Sequence, residues 1–124
     1  MSSDRDIEVY RLAHELGLVC HRLSMKLPEY ELYESGSQLR RASKSISANI
    51  VEGYGRRRYK ADYIKFLVCA HASCDETMEW LTYLDELYSE LSEEIQSTMD
   101  LCNRTGGKLN KFIQSVEKQH NVFA

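Results

Sequence analysis

A run of basic side chains with tyrosines beside it is the strongest chemical feature of this sequence. The cations of "GYGRRRYK" are Arg56, Arg57, Arg58 and Lys60, and tyrosines occur at positions 54, 59 and 63. Arginine binds phosphate through paired N–H groups, and aromatic rings stack on nucleobases. The run is therefore a candidate nucleic-acid contact.

Local helix stability does not explain why the basic run stands at this position. It follows the end of one predicted helix, where cations are favourable, and precedes the start of the next, where they are not. Each effect contributes only about 0.3–1 kcal/mol on an exposed surface, so the two roughly cancel. An anionic partner would explain the run, but a solvated turn or an acidic protein partner is equally compatible with it.

The charges along the chain are strongly segregated. Residues 37–70 hold eight Lys/Arg and two Asp/Glu, whereas residues 71–100 hold nine Asp/Glu and no Lys or Arg. Arg40, Arg41 and Lys44 extend the basic character along the helix before the run. In a bundle, this distribution predicts one basic end, around residues 53–60 and Lys118, and one acidic end.

Catalytic and metal-binding patterns are weak. A di-iron bundle needs two Glu-x-x-His motifs, and the chain has one, from Glu117 to His120. His71, Cys74 and Asp75 share a helix face but make at most half a metal site. We therefore predict no enzymatic activity, no metal and no cofactor.

Glu52 precedes the basic run and is a candidate for a catalytic carboxylate or for a structural ion pair. A catalytic role is possible for a buried carboxylate, but no other catalytic group accompanies it. An ion pair with Arg40 or Arg41, of this chain or a neighbouring one, is the favoured interpretation.

Four helices are needed to position these residues, at roughly 6–27, 37–52, 59–89 and 92–118. Asp4 or Asp6 is expected to cap the first, Gly53 and Gly55 to break the second, and Ser92 to cap the fourth. "PEYELYESG" is predicted to be a loop after Pro28. Short connections predict a single domain over residues 1–124, an all-α, antiparallel up-down-up-down four-helix bundle.

Apolar residues in each predicted helix recur at alternating steps of three and four, as in a bundle seam. The four predicted stripes are Val9, Ala13, Leu16, Cys20, Leu23, Leu27; Leu39, Ala42, Ile46, Ile50, Gly53; Tyr63, Leu67, Ala70, Cys74, Thr77, Leu81, Leu84, Tyr88; and Ile95, Met99, Cys102, Gly106, Leu109, Ile113, Val116. Gly106 is expected to permit the close approach of a neighbouring helix.

Further apolar residues lie off these stripes, and a helix that is apolar on two sides expects two partners. We therefore predict self-association. The residues concerned are Leu12, Val19, Ile64, Phe66, Val68, Cys69, Trp80, Tyr83, Leu87 and Phe112.

The composition is typical of a soluble globular protein. The 124 residues are 43% hydrophobic and 28% charged, with a net charge of -3. No apolar run approaches a membrane span, and the polar N-terminus is unlike a signal peptide. The four cysteines lie within helical patterns and are expected to be reduced, which favours a cytoplasmic protein without membrane contact.

The segment "SQLRRASKSISANIVEGYGRRRYKADYIKFL" resembles a known family, the 23S rRNA-intervening-sequence proteins. Members typically read like "S-x-Q-L-R-R-A-x-x-S-I-x-A-N-I-x-E-G-x-G-R", and "GGKLNKFIQS" resembles their closing helix. Where this chain has Ser47, members often have proline.

The resemblance implies a ring-like homopentamer of antiparallel four-helix bundles without an established enzymatic activity. Relatives include accessory proteins of diversity-generating retroelements, which engage a reverse transcriptase and nucleic acid. The expected function is thus a non-enzymatic oligomeric scaffold that binds RNA or DNA through the basic end. The alternative is a protein-interaction module that docks a partner such as a reverse transcriptase.

Overall fold

Four long helices make up most of the chain in the computed structural model, which describes residues 4–119. In chain order the helices are α1 (Asp4–Ser24), the single-turn α2 (Glu29–Leu32), α3 (Ser35–Gly55), α4 (Lys60–Leu87) and α5 (Ser92–Lys118). A 3-10 turn, Ser89–Leu91, joins α4 to α5. The described residues contain no strand, so the predicted all-α class and the four long helices are confirmed.

The long helices enclose one core. Both α1 and α4 pack against α3 and α5. Every residue of the first three predicted stripes is buried, as are five of the seven in the fourth. The 3–4 spacing therefore identifies the inner face of each helix, because residues so spaced lie above one another on a helix surface.

The inner face of α5 differs in part from the predicted stripe. Met99 and Gly106 are half-buried, while two threonines and Leu101 are buried beside the stripe. The threonine hydroxyls are satisfied locally, since Thr98 Oγ1 donates to the Glu94 carbonyl at 2.9 Å and Thr105 Oγ1 to the Leu101 carbonyl at 2.8 Å. Buried threonines therefore cost α5 no unpaired polar group.

Two of the apolar residues that suggested self-association belong to the core. Leu12 is 8% exposed and Phe112 is 7% exposed, and the ring of Phe112 meets Tyr63 edge-on, with 6.2 Å between centroids. Because both are covered within one chain, neither is evidence for a second copy.

The first connection is more ordered than the sequence suggested. α1 ends at Ser24 rather than Leu27, and Pro28 is the N-cap of α2, so the predicted loop contains a helical turn. Glu31 in that turn is buried, and its carboxylate accepts hydrogen bonds from the Tyr88 hydroxyl at 2.5 Å and the Ser35 amide at 3.1 Å. This carboxylate ties the connection to the end of α4.

The break predicted at Gly53 is wrong, whereas Gly55 is the last residue of the second long helix. α3 continues through Gly53 to Gly55, and no described glycine has a positive φ. A methyl group at Gly53 would lie 3.1 Å from Phe66 Cβ and 3.3 Å from Tyr63 Cδ1. Gly53 therefore serves the close packing of α3 on α4.

Gly106 does not have the packing role predicted for it. A methyl group there would meet Cys74 Cβ at 3.9 Å, an ordinary van der Waals distance. The neighbouring helix would accommodate alanine at this position without moving.

The predicted N-caps also differ. α1 begins at Asp4, so Asp6 lies inside the helix, where it is buried. Ser92 is the first residue of α5 rather than its cap, and its hydroxyl donates to Asp85 Oδ1 at 3.0 Å. Ser92 thus links α5 back to the last turns of α4.

Three of the four cysteines are small core residues, as predicted. Burial raises the thiol pKa of Cys20 and Cys74 to about 12 and that of Cys102 to about 11. Cys69 is instead exposed on α4.

No helix among residues 4–119 has both the length and the apolar character needed to cross a bilayer.

Candidate nucleic-acid interface

Arg56, the first cation of the run, is neutralised within the chain. Its Nε lies 3.1 Å from Glu52 Oε2, one η nitrogen lies 3.9 Å from Asp62 Oδ2, and its guanidinium sits 4.9 Å from the centroid of the Phe66 ring. These contacts pair the end of α3 with the start of α4. They also correct the interpretation of Glu52, which is exposed and pairs with Arg56 rather than Arg40 or Arg41.

Arg57 folds back on the last turn of α3. An η nitrogen donates to the Tyr54 carbonyl at 3.0 Å, and the guanidinium lies 4.0 Å from the centroid of the Tyr54 ring. A guanidinium held over an aromatic ring keeps its charge, so such a pair can still attract an anion.

The tyrosines beside the run are not equivalent. Tyr59 is exposed, Tyr54 is half-buried, and Tyr63 is buried in the core, where burial raises its pKa. Tyr63 therefore cannot stack on a base, contrary to the sequence interpretation.

Lys60 connects the turn to the end of the last helix. Its Nζ donates to the Glu117 carbonyl at 2.8 Å and also to the carbonyl of Gln119, the C-cap of α5. A cation is favourable there because a helix C-terminus carries partial negative charge. The contact places the basic turn beside the basic C-terminal part of α5.

Three lysines of α5 extend this basic surface, and of these the sequence analysis had placed only Lys118 at the basic end. Lys108, Lys111 and Lys118 line an open cavity of about 450 Å³ with Glu8 and Phe112. Glu8 lies 3.1 Å from Lys108 and offsets one of the three charges. The spacing of three and seven residues was the available signal, since it places all three on one side of a helix.

The basic residues early in α3 are not brought to this surface. Arg40 is half-buried and donates to Ser24 Oγ at 2.9 Å and to the Leu32 carbonyl at 2.8 Å. Arg41 is exposed. At 1.5 Å per residue, both lie more than about 20 Å along α3 from Arg56.

Lys44, in the middle of α3, has a histidine neighbour. Its Nζ donates to His21 Nδ1 at 3.0 Å, and its charge lowers the pKa of His21. The structure thus separates Arg40, Arg41 and Lys44 from the run at positions 56–60.

The structure adds no further ligands to the weak metal-binding patterns within the residues that it describes. His71 Nδ1 lies 3.8 Å from Asp75 Oδ2, but the part of the chain that the structure describes contains no group of three or more potential ligands. His120, the second half of the Glu-x-x-His pattern, lies outside the described residues.

Comparison with known proteins identifies a family to which the chain is similar. The family model of the 23S rRNA-intervening sequence protein matches residues 5–111. The chain is also similar to the crystal structure, at 1.70 Å resolution, of a protein with unknown function from the S23 ribosomal protein family of Bacteroides thetaiotaomicron VPI-5482. The TM-score is 0.80 at 24% identity, over 89% of this chain and 98% of that one.

No curated protein matches the chain. Because 24% identity supports only the fold, the family assignment depends on the match to the family model, which covers most of the sequence. The chain belongs to the 23S rRNA-intervening sequence protein family.

Proposed function

We propose that this protein is a non-enzymatic, self-associating scaffold that binds nucleic acid through one basic end. We define the basic end as Arg57, Arg58, Lys60, Lys108, Lys111 and Lys118. The observation that carries the proposal is the hydrogen bond from Lys60 to the Glu117 carbonyl, because it brings the turn beside the end of the helix that carries the three lysines.

The proposal includes alternating helix directions. Only residues 56–59 separate α3 from α4, and Lys60 at the start of α4 meets the end of α5. Lys26, after the end of α1, contacts Glu94 in the first turn of α5, with 2.9 Å between Nζ and Oε2. An antiparallel bundle satisfies the short connection and both contacts, and it sends the acidic residues of positions 71–100 mostly away from the basic end.

The basic end suits phosphates more than one specific base sequence. Its cations come from one turn and from one side of α5. Lysine and arginine contacts to phosphate give affinity that falls with salt and tolerates sequence. RNA and DNA are both compatible with this surface, and the free thiols support a cytoplasmic setting.

Self-association is supported by a second seam on α4, which we call the outer seam: Cys69, Trp80, Tyr83 and Leu87. Tyr83 is 52% exposed and Leu87 is 61% exposed, and the Trp80 and Tyr83 rings lie 6.0 Å apart. Burying such a stripe against another copy would repeat the basic end around a symmetric assembly. A pentameric ring is the arrangement that the family resemblance favours.

The test removes charge from the basic end and, separately, from the end of α1 and the first half of α3. In the first variant, Arg57, Arg58 and Lys60 become glutamine; in the control, Arg22, Arg41 and Lys44 do. We expect the first to bind a fluorescent 20-nucleotide RNA more than about tenfold more weakly, since phosphate contacts are lost, with the helical circular dichroism unchanged. The control should stay within about twofold. Equal weakening by both variants would contradict the proposal.

A second candidate function is docking of a protein, such as a reverse transcriptase, on the outer seam. The exposure of Tyr83 and Leu87 favours it. A Leu87→Glu variant separates the two uses of the seam: loss of the oligomer in sedimentation velocity indicates self-association. An unchanged oligomer that no longer retains a purified, nuclease-treated reverse transcriptase indicates docking.

A further inference from the structure

An open cleft between α1 and α3 lies beside the basic turn. Its volume is about 440 Å³, and it is lined by Ile7, Tyr10, Arg11, Val51 and Tyr54. Small-molecule sites commonly have volumes of about 300–1,000 Å³ and combine apolar walls with a few polar groups. This cleft has the size and lining for one planar ring system.

The walls combine aromatic rings, aliphatic side chains and cations. Two tyrosines, Tyr10 and Tyr54, line the cleft with Arg11, and Val51 is 52% exposed on the same surface. Arg57 lies over the Tyr54 ring at 4.0 Å, so a guanidinium stands at the edge of the cleft. Rings that stack and cations that bind phosphate, set side by side, are the chemistry of single-strand binding sites.

We propose that this cleft holds one unstacked nucleobase of a single-stranded nucleic acid, whose flanking phosphates contact Arg11 and Arg57. The inference rests on the proposed function, because Arg57 belongs to the basic end and directs the strand past the cleft. A duplex cannot place a base there without unpairing it, so the cleft gives the protein a preference for single strands.

The charge around the cleft suits this occupant. Arg11 is the only charged residue among the five that line it. Tyr10 is also 5.7 Å from the His14 ring, centroid to centroid, which steadies the ring that faces the base. An acidic ligand without a ring would not contact the tyrosine rings, and a purely aliphatic ligand would not pair with the arginines.

The experiment compares two exposed aliphatic positions on long helices. Val51→Glu places a carboxylate in the cleft, and Leu18→Glu, at 43% exposure on α1, is the control. Binding of a fluorescent 12-nucleotide single strand and of the corresponding duplex is measured by anisotropy. Val51→Glu should weaken single-strand binding about 5- to 100-fold, the range for one lost base stack, while duplex binding and the control change by less than about twofold.

Tyr10→Ala is the second variant, with the exposed Tyr33→Ala as its control. It should reproduce the selective loss of single-strand binding. Unchanged single-strand affinity in both Val51→Glu and Tyr10→Ala would overturn the proposal that the cleft binds a nucleobase. It would not contradict nucleic-acid binding by the basic end.

If the wild-type protein bound neither the single strand nor the duplex, the proposed function would fail. A titration with adenosine monophosphate would then test separately whether the cleft binds a nucleobase. Ring-proton shifts of Tyr10 and Tyr54 in NMR spectra would support it. Absence of those shifts would overturn it.

Discussion

At the scale of single residues, similar arginines have quite different roles. Arg56 is held in ion pairs with Glu52 and Asp62, and Arg40 is half-buried and bonded to Ser24 and Leu32. Arg41 is exposed. Sequence placed all three in one candidate surface, because charge and position along a helix do not reveal what a long side chain reaches.

The role of Arg40 predicts a loss of stability rather than a loss of binding. Arg40→Gln should lower the free energy of unfolding by about 1.5–3 kcal/mol, the typical contribution of hydrogen bonds to a charged group. The measurement is urea unfolding followed by circular dichroism. The neighbouring Arg41→Gln should change it by less than about 0.5 kcal/mol, as exposed substitutions do. Equal effects at the two positions would refute a structural role for Arg40.

Glu31 predicts a pH dependence of stability. The hydrogen bond from Tyr88 holds the pKa of Glu31 below its ordinary value of 4.5, aided by Ser35. A carboxyl whose pKa is lower in the folded state stabilises the fold above its ordinary pKa, and the contribution is lost as pH falls through the folded value.

The comparison is therefore between wild type and Glu31→Gln over a pH series of urea unfolding. Wild type should be more stable by roughly 1 kcal/mol near neutral pH, and the difference should shrink as pH falls below about 4.5. Glu34→Gln, an exposed neighbour, should show no such convergence. A difference independent of pH would mean that the carboxylate charge is not what stabilises this contact.

At the scale of helices, α3 and α4 approach each other closely around Gly53. A methyl group at that position would press on Phe66 and on Tyr63. Arg56 and Asp62 pair across the same two helix ends. This junction fixes the direction in which the basic turn leaves α3.

Two glycine substitutions separate packing from helix propensity. Gly107→Ala, where a methyl group would meet nothing within 4 Å, should stabilise by about 0.5–1 kcal/mol because alanine favours helix. Gly53→Ala gains the same propensity but adds an overpacking cost of about 1–3 kcal/mol, for a net loss of up to about 2 kcal/mol. Thermal unfolding measures both, and stabilisation by Gly53→Ala would show that the two helices are not closely packed.

The elements could be predicted from the sequence because their spacing follows helix geometry, as the fully buried stripe from Tyr63 to Tyr88 illustrates. The helix ends could not. Glycine costs a helix only about 1 kcal/mol, and packing on α4 outweighs that cost at Gly53. The place of the basic turn was also predictable, but the neighbourhood of Lys60 and the α5 lysines depends on which helices are adjacent.

At the scale of the whole molecule, we propose that nucleic acid binds one continuous basic surface. The turn contributes Arg57, Arg58 and Lys60, and α5 contributes Lys108, Lys111 and Lys118. Assembly through the outer seam of α4 would bring several such surfaces into one particle. Attraction to a nucleic-acid backbone then grows with the number of phosphates contacted, although each contact is weak.

The most direct test is the salt dependence of RNA binding by wild type and by a variant in which Lys108, Lys111 and Lys118 are glutamine. Log affinity should fall linearly with log salt concentration for wild type, and the variant should have a slope smaller by about 2–3, since each lost phosphate contact removes about 0.7–0.9. Equal slopes for the two proteins, or wild-type binding that does not depend on salt, would contradict the assignment of the α5 lysines and the turn to one phosphate-binding surface.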